Sequence, residues 1–201
     1  KYIMSKKLWL ITYHLKRHDG QSAVAMKLLE YISKNLHGIE GNLLTFTNDK
    51  ELIKELENKN LSVINLGNDS AWFLGLDLIL DYNAKKIQKI VKDEIGIVIN
   101  DEAVAYSKFK KGPLLYYCQG VLGIMPYRPY FSERNSLIKI LASLNSLAFH
   151  RKALKYINKY DLIFANSETT SEFMKHFYYV IHKRYFRKNS RASAAKDSWQ
   201  R

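Results

Sequence analysis

A single cysteine, Cys118, excludes an internal disulfide and a cysteine-built zinc cluster. That usage fits a reducing compartment, and the expectation is a cytoplasmic protein. No uncharged stretch reaches the about 20 residues that a membrane-spanning helix needs. The longest one ends at Tyr127 and is interrupted by Gly120, Gly123 and Pro126. Lys6 and Lys7 precede an apolar run, Leu8–Tyr13, but the polar His14–Asp19 segment stops that run short of a secretory leader. Acidic residues are also scarce, 19 against 32 Lys and Arg, for a formal net charge of +13. The excess is uneven. From Lys175 onward, eight Lys or Arg face one acid, Asp197, and supply +7 of the total. Residues 1–178 therefore read as a folded domain and 179–201 as a basic tail. Charge of this kind suits nucleic acid, an anionic membrane surface or a phosphorylated substrate equally well, and a merely solvated tail carries it too.

What is present is an alternation. Leu8–Tyr13 has the length and composition of a strand, and Val24, Leu28, Ile32 and Leu36 follow at helical spacing. Leu43–Thr47 reads as a second strand. Asn48 then stands as a helix cap, with Glu51 in capping-box position before Leu52, Ile53 and Leu56. Leu61–Leu66 is a third strand. Asp69 or Ser70 opens a long amphipathic helix through Val91, and Ile95–Ile99 is a fourth strand. Leu114–Cys118 is a fifth, Ser132 opens another long helix, Leu162–Ala165 is a sixth strand, and Ser167 caps a last helix. Apolar strands alternating with amphipathic helices predict an α/β fold. The expected architecture is a Rossmann-like, doubly wound, mainly parallel sheet of about six strands with helices on both faces. Ligands of such sheets sit beyond the carboxyl ends of the strands. That rule directs attention to His14–Ser22, Gly67–Asp69, Asn100–Glu102, Gln119–Arg128 and Asn166–Thr170.

Motifs with a dedicated chemistry are missing. There is no Walker loop, no G-x-G-x-x-G, no H-E-x-x-H and no G-x-S-x-G elbow. His14 and His18 are four apart but fall in a loop, so no metal site is expected. Asp19-Gly20-Gln21-Ser22 leads into a helix whose amides and dipole suit an anion, although Asp19 also serves as a plain cap. Asn100-Asp101-Glu102 offers either a general base or another cap. Gly123–Arg134 combines aromatics, two prolines, Arg128 and Arg134, a surface suited to an amphiphile with an anionic head or to stacked bases. Cys118, beside Tyr116 and Tyr117, reads as a buried thiol.

Two segments carry a family resemblance. Leu114-Leu115-Tyr116-Tyr117-Cys118-Gln119-Gly120 and Tyr160-Asp161-Leu162-Ile163-Phe164-Ala165-Asn166-Ser167-Glu168-Thr169-Thr170 flank a helical stretch containing Arg134 and Arg151. The second segment is similar to the D-x-I-x-A-N-S-E strand-to-helix junction of GT-B-fold glycosyltransferases, in the retaining family that uses nucleotide sugars. Over Lys7–Phe177 the order of elements resembles that family's N-terminal, acceptor-binding domain. The resemblance implies transfer of a sugar from a nucleotide sugar to a hydroxyl or lipid-phosphate acceptor. The nucleotide sugar is then a co-substrate, and no cofactor is implied. Its implied substrate contacts are Gly20, Gln21, Ser22, Gln119 and Arg128, with His14 and Asn166. Gln119 stands where the family often has a histidine; it hydrogen-bonds hydroxyls but cannot shuttle a proton near neutral pH. After Thr170 the sequence shows neither the family's Arg/Lys pair for the diphosphate nor its paired glutamates. The donor phosphates are therefore expected on a separate domain or subunit. Two further expectations stand beside this one: peripheral binding to an anionic membrane, and a non-enzymatic nucleic-acid-binding protein.

Overall fold

The computed structural model describes residues 6–12, 15–47, 49–67, 76–99, 107–108, 111–118, 155 and 157–178. Among the described residues six strands carry the fold: β1 (Lys6–Thr12), β2 (Ile39–Thr45), β3 (Ser62–Asn65), β4 (Ile95–Val98), β5 (Leu114–Cys118) and β6 (Leu162–Ala165). Every pairing is parallel, and the strands lie in the order β3-β2-β1-β4-β5-β6. The order reverses direction between β1 and β4, which is the topological switch point of a doubly wound sheet. The expected α/β fold class is therefore the observed one.

Helices α1 (Gly20–Asn35), α2 (Lys50–Asn58), α3 (Leu76–Val91) and α4 (Glu168–Tyr178) cover the sheet. Strand side chains alternate between two cores. On one face Leu8, Leu10 and Leu43 meet Ala25, Leu29 and Ile32 of α1 and Leu52 and Leu56 of α2. On the other, Trp9, Ile11, Leu44, Val98, Tyr116 and Ile163 meet Ala84, Ile87 and Val91 of α3 and Met174 of α4. A sheet buried on both faces must be apolar at successive positions, which is why β1 reads as a continuous run. Cys118 is buried in the second of these cores, as expected.

Several boundaries differ from the sequence reading. Strand β2 starts at Ile39, four residues before Leu43. Gly41 and Asn42 hide the signal, yet both belong inside. A Cβ on Gly41 would sit 2.8 Å from Cγ2 of Ile32, so only glycine lets α1 approach β2 this closely. Asn42 is buried and accepts from Ser62 Oγ at 2.5 Å, across the β2–β3 pair, while its Nδ2 donates to the Glu40 carbonyl. The cap of α2 is Asp49, not Asn48: the Asp49 carboxylate accepts from the Leu52 amide at 2.8 Å. That moves Glu51 to the first turn and removes the capping box. In α1 the fully buried line is Ser22, Ala25, Leu29 and Ile32, with Val24 and Leu28 half-buried at its side. The small Ala25 sets that line, because it lets the helix lie close on the sheet. The expected caps at Asp69, Ser70 and Ser132 lie outside the described residues.

The edge opposite the switch point is pinned by polar contacts. The Asp161 carboxylate accepts from the Leu114 amide at 2.8 Å, and the Asp161 amide donates to the Leu114 carbonyl at 2.8 Å. Gly112 packs on the turn before β4, where a Cβ would meet the Asp93 carbonyl oxygen at 2.2 Å. The Trp9 indole N–H donates to the Glu94 carboxylate across the same region.

Candidate functional site

All six strands point the same way, so the segments that follow them gather at one edge. Strand β1 leads into Leu15–Asp19 and then directly into α1. Gly20 is the first residue of that helix rather than part of a loop before it. The Asp19 carboxylate caps α1, accepting from the Ser22 amide at 2.8 Å and the Ser22 hydroxyl at 2.7 Å. Ser22 Oγ in turn accepts from the Lys16 amide at 2.9 Å. The loop is thus folded back on the helix it precedes, with His18 in the left-handed region at φ 60°.

The predicted contacts distribute as follows. Gly20 is exposed, and the space its Cβ would occupy is open to 4 Å. Gln21 lies in the first turn of α1. Ser22 is fully buried, with its hydroxyl engaged as just described. Asn166 is exposed directly after β6; its amide donates to the Cys118 carbonyl and its side-chain oxygen accepts from the Thr170 hydroxyl at 2.8 Å. Ser167 caps α4 as expected, accepting from the Thr170 amide at 3.1 Å. His14, Gln119 and Arg128 lie outside the described residues, as do 100–102 and 123–134.

Gly20 and Asn166 thus share the carboxyl edge but not one small pocket. Strands β4 and β5 stand between β1 and β6, which puts three strand spacings, about 14 Å, between their ends. A ligand touching both must be extended, on the scale of a disaccharide or a nucleotide.

Charge at this edge is mixed. Arg17 lies within 3.7–3.8 Å of Asp49, Glu51 and Glu55, three carboxylates against one guanidinium. At the far end of α2, on the opposite edge of the sheet, Glu55 also holds Lys59 at 3.1 Å. That hydrogen bond and charge, with a smaller contribution from Glu30, raise the exposed Lys59 ammonium above its ordinary pKa. The Asp19 carboxylate further offsets the positive end of α1. The charges of residues 15–19 and 49–55 are balanced, Asp19, Asp49, Glu51 and Glu55 against Lys16, Arg17, Lys50 and Lys54. Among the described residues, no group of three or more His, Cys, Asp or Glu side chains is arranged to hold a metal ion. Nor is any described helix long and apolar enough to cross a membrane.

Residues that the sequence did not single out also organise this edge. Thr47, just past β2, and Asn65, the last residue of β3, hydrogen-bond to each other. Asn65 accepts from the Thr47 amide at 3.2 Å and donates to the Thr47 carbonyl at 3.1 Å. Polar residues closing apolar strands were the available signal, but turns produce the same pattern.

No protein-family model matches the chain, and no curated protein matches it in sequence. Among solved structures, the crystal structure of Anabaena Alr3699/HepE in complex with UDP and glucose is similar at 13% identity, with a TM-score of 0.49 over 89% of this chain. The chain spans 42% of that protein's chain.

Proposed function

We propose that the chain is the acceptor-binding half of a GT-B-type glycosyltransferase, which takes a sugar from a nucleotide sugar to an acceptor held at the carboxyl edge of the sheet. The observation that carries this reading is the pairing of β5 with β6. The two segments that resemble the family are separated by 39 residues in sequence, yet they contain neighbouring parallel strands, with Cys118 opposite Ala165. Both run toward the carboxyl edge of the sheet, the side on which this architecture holds ligands.

In this proposal an acceptor hydroxyl lies against the amide end of α1, at Gly20 and Gln21. The Asp19 carboxylate offsets the helix dipole there, so a neutral group is preferred over a second anion. Gln119 and Asn166 hold hydroxyls further along the edge. Ser22 supports the first loop through Asp19 and the Lys16 amide, His14 is a further acceptor contact, and Arg128 meets an anionic group if the acceptor carries one, as a lipid phosphate does. Stabilising the leaving diphosphate is the main electrostatic task of such a transfer. A separate domain or subunit performs it.

The test is a titration of the isotope-labelled chain, followed by amide NMR, with a panel of nucleotide sugars and short alkyl glycosides. Shifts confined to residues 15–22 and 166–170 support the reading. Absence of shifts with every glycoside, or shifts clustered at Lys59, Lys92 and Gly112 on the opposite edge, would remove it. Stronger binding to an RNA or DNA oligonucleotide, weakening steeply with salt, would favour a nucleic-acid-binding protein instead.

A further inference from the structure

The loop between β1 and α1 is anchored from its neighbour strands by a relay of hydrogen bonds. At its centre is Thr47, buried at 3% exposure. Its hydroxyl donates to the Leu15 carbonyl at 2.6 Å and accepts from the Asp49 amide at 3.0 Å. Its own backbone is held from the other side by the Asn65 side chain through both the amide and the carbonyl. Asn65 is fixed in turn by its place in β3, where it is the register partner of Thr45, and its side-chain oxygen also accepts from the Gly67 amide at 3.2 Å. The ends of β3, β2 and β1 are therefore linked in sequence: Asn65 to Thr47, Thr47 to Leu15, and Leu15 to the α1 entry.

Parallel-strand pairing does not require this relay. Ladder hydrogen bonds already fix the strands themselves, from Lys6 opposite Ile39 to Thr12 opposite Thr45. Among the described residues the β1 ladder ends at Thr12, and Leu15–Asp19 are held by other contacts. Three contacts hold them: the Leu15 side chain, fully buried in the core under α1 and α2, the Lys16 amide, held by Ser22 Oγ of α1, and the Leu15 carbonyl, held by Thr47, which is the hydrogen bond that comes from a neighbouring strand end. The Arg17 contacts with Asp49, Glu51 and Glu55 lie at the surface, where ion pairs add little.

We infer that Thr47, backed by Asn65, is a positioning residue that sets the path of residues 15–19 and so presents the Gly20–Gln21 end of α1 to the ligand edge. It touches no ligand itself. Its significance for sugar binding rests on the function proposed above, while its control of the loop does not.

The experiment is hydrogen exchange on the full chain for the wild type, Thr47→Val, Thr47→Ser and Asn65→Ala. Valine keeps the shape and removes the hydroxyl, and serine restores the hydroxyl. Thr47→Val should accelerate exchange in residues 15–22 by tenfold or more while the Leu10 and Leu43 amides in the sheet stay within twofold. Thr47→Ser should stay within about threefold of wild type, as expected if the hydroxyl rather than the methyl acts. Asn65→Ala should reproduce the regional effect through the Thr47 backbone, and it serves if Thr47→Val does not fold. Unchanged exchange at 15–22 in Thr47→Val, or equal acceleration in the valine and serine variants, overturns the inference. The second arm measures binding of whichever alkyl glycoside or nucleotide sugar shifts the wild type. Its affinity should fall about tenfold in Thr47→Val and recover in Thr47→Ser. Loss of affinity in Thr47→Val without regional acceleration counts against the inference. A wild type that binds none of the panel, with the regional exchange effect intact, removes the sugar reading and leaves the positioning role standing.

Discussion

Asp161 tests whether the family-like segment reports architecture or chemistry. It is the first residue of the D-x-I-x-A-N-S-E-like stretch, yet it stands at the start of β6, five residues before Asn166. At strand rise that is about 16 Å from the carboxyl edge. Its carboxylate accepts from the Leu114 amide, and Leu114 is itself 1% exposed. Replacing Asp161 with Ala removes a charge-assisted hydrogen bond of about 1.5–3 kcal/mol and strands a buried amide. The backbone bond from the Asp161 amide to the Leu114 carbonyl survives, which limits the loss. We expect Asp161→Ala to lower stability by about 2–3 kcal/mol, a Tm shift of about 5–10 °C for a domain of this size. Asp161→Asn keeps an acceptor oxygen and loses only the charge, so it should cost about 1 kcal/mol or less. Urea unfolding followed by circular dichroism measures both, and unchanged m-values would show that a common transition is being compared. Ligand-induced amide shifts at residues 15–22 should persist in the folded Asp161→Asn protein. A loss below 0.5 kcal/mol in Asp161→Ala would refute the pinning argument, and loss of ligand response in a stable Asp161→Asn would move the residue into the site.

Gly112→Ala should cost about 2–3 kcal/mol, because its Cβ would clash only with backbone atoms, which cannot step aside; thermal unfolding measures it. Gly20→Ala should instead be neutral or stabilising by up to about 1 kcal/mol, since it sits in helix with open space around the added methyl. If the same variant weakens glycoside binding, as read by amide titration, that edge needs close backbone approach. Glu94→Leu leaves the buried Trp9 indole without its acceptor and should cost about 1–3 kcal/mol with a changed Trp emission, whereas Glu94→Gln should retain most of the stability. Arg17→Ala should change stability by less than about 1 kcal/mol in urea titration, because all three of its ion pairs are surface contacts without hydrogen-bond geometry.

The sequence by itself determined the fold class and the order of the described elements, because burial on both faces writes unbroken apolar runs such as Leu8–Ile11 and Leu162–Ala165, and helices show their own period. It also located the caps at Asp19 and Ser167, where a short polar side chain beside a helical pattern has few other uses. Only the tertiary structure decided which strands are neighbours, that β4 rather than β3 lies beside β1, and hence where the switch point falls. Only packing could show that Gly41 and Asn42 are interior, one by lacking a Cβ under Ile32 and the other by finding Ser62. The same holds for Thr47 and Asn65. Their roles depend on partners 18 and 32 residues away, and a hydroxyl or amide carries no mark of such a partner until the chain folds and brings the two within hydrogen-bond reach.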